Sequence, residues 1–112
     1  MFSARVINHG DTNMLNICDT ELLGRTLNND NFTLKISEEY YAQKVVEKEE
    51  AGDLLKRSNN INMVGKEIIS LCVNMGIGSQ EGVKEIDGIP FLIVFKRKSS
   101  QLYRKFFTFY YG

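Results

Sequence analysis

Cys18 is the side chain that could most directly support a reaction. Two β-prone segments, residues 2–9 and 14–18, flank the turn-forming run Gly10-Asp11-Thr12-Asn13, so the sequence predicts a β-hairpin with a four-residue loop. That register places Arg5 opposite Cys18, where a guanidinium lowers the pKa of a thiol. His9 lies four residues up the neighbouring strand, roughly 13 Å away at about 3.3 Å per residue, too far to act as the base. A half-buried packing role for Cys18 is therefore favoured over a nucleophile, and no catalytic residue is assigned.

A polar cleft remains the basis of one alternative function. In the predicted hairpin Arg5 and Cys18 share the polar face, and Asp19 and Asn62 belong to motifs rich in Gly, Asn and Asp. These four residues could line the site of a small enzyme or a small-molecule binder.

Nucleotide loops and metal sites have little support. Gly65-Lys66 lacks the first glycine and the Ser or Thr of a phosphate-binding loop, because Asn60 and Glu67 occupy those positions. Only His9, Cys18 and Cys72 could act as soft metal ligands, and their spacing fits no known ligand pattern. We therefore predict no metal and no cofactor.

The C-terminal segment has the composition most typical of binding. It carries five of the 14 Lys and Arg residues and no acid, whereas residues 1–95 carry nine Lys or Arg against all 14 Asp and Glu, a net charge of −5. Cations neutralise phosphates, and aromatic rings stack on unpaired bases. The candidate contacts for nucleic acid are Lys96, Arg97, Lys98, Tyr103, Arg104 and Lys105. A last strand pairing with Phe91–Phe95 and a protein-binding surface are the alternatives for this segment.

The remaining pattern predicts an α+β fold in a single domain. A mostly antiparallel sheet packs against a two-helix layer formed by residues 48–57 and 61–75, each with helical periodicity. Asp19 is expected to cap a short turn over Thr20–Leu23, and residues 32–36, 83–86 and 91–95 are predicted to be strands, the last covered on both faces. Residues 1–95 form the core domain, and residues 96–112 form a basic, aromatic extension.

Composition favours a cytoplasmic protein. The chain has 112 residues, 43% of them hydrophobic and 25% charged, as in ordinary globular domains. We expect no secretory signal, no membrane association and two reduced thiols. The oligomeric state is not predicted.

Three motifs together resemble the domain of unknown function 424 family, small single-domain proteins known chiefly from archaea. The similar positions are Cys18-Asp19 with Glu21-Leu22-Leu23-Gly24, Ser37-Glu38 followed by Tyr41, Asn62 with Val64-Gly65 and Glu67, and Gly88-Ile89-Pro90. The resemblance covers roughly residues 2–95. A His usually follows the proline in that family, whereas this chain has Phe91, so no role of that His is carried over. The resemblance implies a domain type and a cytoplasmic setting, and no reaction. The leading expectation is a non-enzymatic binding protein associated with RNA or a ribonucleoprotein, and a protein–protein adaptor is a further alternative.

Overall fold

Two β-sheets and three helices organise residues 1–96, the part of the chain that this computed structural model describes. The strands are β1 (Phe2–His9), β2 (Thr12–Asp19), β3 (Thr26–Asn29), β4 (Phe32–Lys35), β5 (Lys44–Val46), β6 (Asn60–Val64), β7 (Lys84–Ile86) and β8 (Ile89–Phe95). The helices are α1 (Glu38–Tyr41), α2 (Lys48–Arg57) and α3 (Lys66–Asn74). Short 3₁₀ turns cover Thr20–Leu22 and Gln80–Gly82.

The larger sheet has six strands in the order β5-β1-β2-β6-β8-β7, and β3 and β4 form a separate hairpin. Strands β2 and β6 are parallel, while every other neighbouring pair in this sheet is antiparallel. The prediction of an α+β domain with a mostly antiparallel sheet is therefore confirmed. Among residues 1–96, none of the helices combines the length and the apolar character needed to cross a membrane.

The two faces of the sheet are covered differently. On the first face α2 and α3 close the main core, in which Leu15, Ile17, Leu55, Ile68 and Cys72 are buried. Fully burying a Leu or Ile side chain contributes about 1.5–3 kcal/mol, so this layer supplies much of the stability. On the second face, within residues 1–96, the β3–β4 hairpin and α1 pack against one half of the sheet.

The other half of this face, against which neither the β3–β4 hairpin nor α1 packs, is called the open face below. Register and alternation place Ile7, Met14, Asn60, Ile93 and Phe95 on it. Ile7 is aligned with Met14, Met14 with Asn60, and Asn60 with Phe95, which forms one row across four strands. Ile93 is 50% exposed, so the prediction that residues 91–95 are covered on both faces is wrong.

The predicted register of the first hairpin is also wrong, by two residues. His9 pairs with Thr12, which leaves a two-residue turn at Gly10-Asp11, and Gly10 has the positive φ (64°) that such tight turns favour. Arg5 therefore faces Asn16, and Cys18 faces Ser3. Because side chains alternate with a period of two, a shift of two residues leaves the predicted assignment to faces intact.

The predicted helix over residues 61–75 begins too early. Residues Asn60–Val64 are strand β6, and the helix starts only at Lys66, after Gly65. Ile61 and Met63 alternate into the core, so this short segment satisfies a strand period as well as a helical one. Pairing with β2 on one side and β8 on the other selects the strand. By contrast, the helix predicted over Lys48–Arg57 is confirmed at both ends.

Two strands, β3 and β5, were not predicted. Both are short and mostly polar, and β5 pairs with only three residues of β1. Strand β4 was predicted, but it belongs to the separate hairpin and not to the main sheet.

Candidate functional site

Three separated motifs of the sequence meet at one end of the parallel strands. Asp19 ends β2, Gly65 follows the neighbouring β6, and Pro90 lies near the start of β8. The Asp19 carboxylate accepts hydrogen bonds from the backbone N–H groups of Glu67 (3.0 Å) and Ile68 (2.9 Å). The Gly65 N–H donates to the Pro90 carbonyl at 2.9 Å. We call this group of contacts the motif junction.

Asp19 caps a different element from the one that the sequence predicts. It occupies the N-cap position of the turn Thr20–Leu22, yet its side chain makes no hydrogen bond there. The carboxylate instead satisfies two of the N–H groups that the first turn of α3 leaves without helical partners. Its negative charge also suits the positive end of the helix dipole. The residue is thus a long-range helix cap.

Gly65 is required at the motif junction for two reasons. Its φ of +119° is a conformation that side-chain-bearing residues rarely adopt. A Cβ atom at this position would also lie 2.5 Å from the Asp19 carboxyl carbon and from one of its oxygens. The close approach of the capping carboxylate therefore leaves room only for glycine at position 65.

Cys18 does not have the properties of a nucleophile. Its side chain is fully buried in the smaller core beneath the β3–β4 hairpin. Burial, with a smaller effect from the charge of Asp19, raises the pKa of the Cys18 thiol to about 12. Arg5 does not oppose this effect, because it lies opposite Asn16 and donates to the Glu39 carbonyl at 2.7 Å. The activated-thiol hypothesis is not supported by this geometry.

We expect Cys18 in the folded protein to react very slowly with iodoacetamide at pH 8. At a pKa near 12, roughly one thiol in ten thousand is ionised at that pH, and the thiolate is the reactive form. Peptide mass spectrometry after timed alkylation measures this, with the same protein in urea as the control. Modification of Cys18 in the folded state at the rate seen in urea would show that the thiol is accessible and would contradict the burial.

The other predicted cleft residues are committed to packing. Arg5, Asn16 and Asn62 lie in one row across β1, β2 and β6, and together they hold α1 against the sheet. Arg5 donates to the Glu39 carbonyl, Asn16 Nδ2 to the Tyr40 carbonyl (3.2 Å) and Asn62 Nδ2 to the Tyr41 hydroxyl (3.2 Å). Asp19, by contrast, alternates to the other face of β2. The four residues of the predicted cleft are therefore not assembled around one cavity.

Asn16 is a residue that the sequence did not single out. It is 7% exposed, and its Oδ1 atom is buried without a hydrogen-bond partner among residues 1–96. Asn16 lies two residues before Cys18, so strand alternation places it on the same face as Cys18 and Arg5. That alternation could have identified Asn16 as a neighbour of the predicted cleft residues.

Lys96 has a structural role that the sequence did not predict. Its Nζ group donates to the carbonyls of Leu55 and Lys56 (2.7 Å), at the C-terminal end of α2. A cation there satisfies carbonyl groups that the last turn leaves free and suits the helix dipole. Burial lowers the pKa of this amine. Lys96 therefore caps α2, and its contact with a phosphate stays a prediction. The other predicted contacts, Arg97, Lys98, Tyr103, Arg104 and Lys105, lie outside the described residues.

A cleft of about 380 Å³ lies beside the motif junction, between α3 and the β7–β8 hairpin. Its polar lining includes Lys66, Ser70, Asn74 and Glu85, and Pro90 forms part of its wall. No His or Cys lines it. Within residues 1–96, no group of three or more His, Cys, Asp and Glu side chains is placed to hold a metal ion.

Comparison with known proteins identifies the domain. Residues 7–96 match a family model described as a protein of unknown function, DUF424. The fold is similar to a crystal structure of an uncharacterized conserved protein from Methanopyrus kandleri, with a TM-score of 0.71 and 27% sequence identity. That similarity covers 88% of this chain and 95% of the other. None of the curated proteins matched significantly. Since the family model spans most of the chain, this protein belongs to the DUF424 family.

Proposed function

We propose that this protein is a non-enzymatic binding protein that associates with RNA or a ribonucleoprotein through its basic C-terminal segment. The observation that carries the proposal is the segregation of charge along the chain. Residues 1–95 have a net charge of −5, while the segment after Lys96 adds Arg97, Lys98, Arg104 and Lys105 without any acid. Such a segment attracts a polyanion, whereas the net negative charge of residues 1–95 repels it. Binding is therefore directed to the C-terminal segment of the chain.

The chemistry of the described residues favours binding over catalysis. The thiol of Cys18 is protonated and buried, Asp19 caps α3, and Arg5 holds α1. These three residues of the predicted cleft therefore have structural roles. The proposal includes a cytoplasmic setting, because both cysteines are free thiols, as is usual in that reducing compartment. RNA as the proposed partner is consistent with the same setting.

Neutralising the four cations beyond Lys96 is the direct test of this proposal. In the full chain we expect Arg97, Lys98, Arg104 and Lys105 changed together to Gln to weaken binding of a labelled single-stranded RNA of mixed sequence by about a hundredfold or more, because each phosphate left without its cation keeps its counterion. Fluorescence anisotropy at several salt concentrations measures the affinity. The slope of log K against log salt should become shallower by about 0.7 for each phosphate that is no longer neutralised.

The matched control removes the same number of cations from residues 1–95. Lys35, Lys48, Lys66 and Lys84 are exposed, and their joint change to Gln should leave the RNA affinity within about threefold of the original chain. Equal losses in the two variants would show that net charge alone attracts RNA. No salt-dependent binding by the original chain would overturn the proposal, and recovery of a stable protein partner in its place would support the adaptor alternative.

A further inference from the structure

The cleft between α3 and the β7–β8 hairpin combines apolar and polar groups in a space of ligand size. Its volume of about 380 Å³ falls within the roughly 300–1,000 Å³ typical of sites for small ligands. The apolar part of its lining is formed by Ile69, Val73, Val83 and Pro90. Polar side chains from α3, from the loop that follows α3 and from β7 complete the lining, so one ligand could contact both kinds of surface.

One wall of the cleft is held in place by close packing of the loop after α3. A Cβ atom at Gly78 would lie 3.0 Å from one methyl carbon of Leu92, and a Cβ atom at Gly82 would lie 3.1 Å from the other. Only glycine allows the backbone to approach the core so closely at both points. Gln80 and Val83, which line the cleft, belong to this closely packed segment. The wall is therefore a fixed part of the fold.

Two opposite charges line the cleft at one end. Lys66 begins α3, and Glu85 lies in β7. Pro90 lies between these two segments, because its carbonyl accepts from the Gly65 N–H on one side and it is aligned with Glu85 on the other. At about 4.8 Å per strand, the Cα atoms of Gly65 and Glu85 are roughly 10 Å apart. Since Lys and Glu have long, flexible side chains, both charges can reach one group bound between them.

The polar side chains of the cleft are not used by the described part of the fold. Among residues 1–96, neither the Lys66 ammonium nor the Glu85 carboxylate takes part in a hydrogen bond or an ion pair. Within the same residues, the side chains of Ser70, Asn74 and Gln80 make no hydrogen bond either. A hydroxyl and two amides supply both donors and acceptors. These groups are therefore available to a ligand in the cleft.

The combination of one cation with one anion favours a zwitterionic ligand. An anion attracted by Lys66 would be repelled by Glu85, and a cation attracted by Glu85 would be repelled by Lys66, so a ligand with a single charge gains little. A free amino acid carries an ammonium and a carboxylate on the same carbon, and each can form a charge-assisted hydrogen bond with one of the two residues. Ile69 and Val73 follow Lys66 by three and seven residues on the same face of α3, where they can contact an apolar side chain.

We propose that the cleft binds a free amino acid with a large apolar side chain, whose carboxylate pairs with Lys66 and whose ammonium pairs with Glu85. At about 1.5 Å per residue, Lys66 and Asn74 are roughly 12 Å apart along α3, which leaves room for one amino acid between the charged end and the Asn74 amide. This site goes beyond the proposed function, because all of its residues are described and none belongs to the C-terminal segment. Neither proposal depends on the other.

The test titrates the isotope-labelled full chain with L-phenylalanine and with two analogues that carry the same ring. Phenylpropanoate lacks the ammonium group, and phenethylamine lacks the carboxylate. With L-phenylalanine at up to about 10 mM, we expect saturating shifts of the backbone amide signals of Ser70, Val73 and Gly88, and no such shifts in β5. The dissociation constant of each analogue should be higher by about tenfold or more, because one charge of the cleft is then left without a partner.

Single substitutions assign each charge of the ligand to one residue. Glu85→Gln should raise the dissociation constant of L-phenylalanine about tenfold, without weakening the binding of phenylpropanoate, which has no ammonium to lose. Lys66→Gln should weaken L-phenylalanine to a similar extent, without weakening phenethylamine. Both positions are exposed, so the fold tolerates the changes, which circular dichroism verifies. A loss of stability would affect all three compounds alike, whereas this crossed pattern arises only from direct charge pairing.

Lys84→Gln is the matched control. Lys84 is exposed and directly precedes Glu85 in β7, but strand alternation places it on the other face, and it does not line the cleft. Its substitution should leave the dissociation constant of L-phenylalanine within about twofold of the original. The inference is overturned if L-phenylalanine produces no saturating shifts in the cleft, if the three compounds bind equally well, or if Lys84→Gln weakens binding as much as Lys66→Gln.

Discussion

Gly65→Ala is expected to lower the free energy of unfolding by about 3–5 kcal/mol, which is a large part of the 5–15 kcal/mol typical of a small domain. The first contribution is conformational, because a non-glycine residue held at a φ of +119° costs about 1–3 kcal/mol. The second is steric, because the new Cβ would lie 2.5 Å from the Asp19 carboxyl carbon. Displacing that carboxylate weakens the hydrogen bonds that it accepts from the Glu67 and Ile68 N–H groups. The clash therefore also destabilises the first turn of α3. Urea denaturation followed by circular dichroism measures the loss.

Gly24→Ala is the matched control for this prediction. Gly24 also has a positive φ, +85°, but a Cβ there would meet no atom within 4 Å. Its substitution should therefore cost only the conformational part, about 1–2 kcal/mol. Equal losses at the two positions would mean that the clash with Asp19 is absorbed without cost, and the role given to the motif junction would be wrong.

Local patterns were sufficient to predict much of the fold. Lys48–Arg57 begins with acids and ends with bases on an amphipathic period, and the helix has those bounds. Ser37 precedes two acids, as a helix N-cap often does, and its hydroxyl accepts from the Glu39 N–H at 3.0 Å. The alternation of β1 and β2 gave the correct faces even though the register was wrong. In each of these cases the determining contacts lie within a few residues along the chain.

The errors arose where distant residues decide the structure. Asn60–Val64 could satisfy a helical or a strand period, and its pairing with β2 and β8, far away in sequence, selects the strand. Asp19 has a suitable position to cap the adjacent turn, but its carboxylate lies beside the first turn of α3, nearly fifty residues further along. The predicted cleft failed for the same reason, since the contacts of Arg5 and Asn62 with α1 are long-range.

The C-terminal residues 97–112 and the open face represent two different limits of sequence reasoning. The basic, aromatic composition of the segment predicts binding directly. Its contacts stay predictions because they lie outside the described residues. The open face could not be recognised from composition, because its side chains come from β1, β2, β6 and β8. The apolar run Phe91–Phe95 predicts a strand that is buried on both faces, whereas Ile93 is half exposed. The surface exists only once the strands are in register.

Asp19→Ala is the second substitution with a large expected effect, a loss of about 2–4 kcal/mol in the free energy of unfolding. It removes the carboxylate that accepts from the Glu67 and Ile68 N–H groups, and Ile68 is fully buried. Losing an N-cap costs about 0.5–2 kcal/mol, and a buried donor left without a partner costs about 1–3 kcal/mol. Asp19→Asn should lose less, because its amide oxygen can still accept one of the two bonds. Glu21→Ala, at an exposed acid on the adjacent turn, is the control and should change stability by less than about 0.5 kcal/mol.

The double variant Asp19→Ala with Gly65→Ala separates the two functions of the motif junction. Once the carboxylate is absent, the Cβ added at position 65 no longer meets the atoms that it would strike, so Gly65→Ala should then cost only its conformational part, about 1–3 kcal/mol. The two losses should therefore be less than additive by about 1–2 kcal/mol, as expected for residues in direct contact. Additive losses would mean that the glycine is required for its φ alone. A non-additive result would explain physically why a chain with Asp at the end of β2 needs Gly at the end of the parallel strand β6.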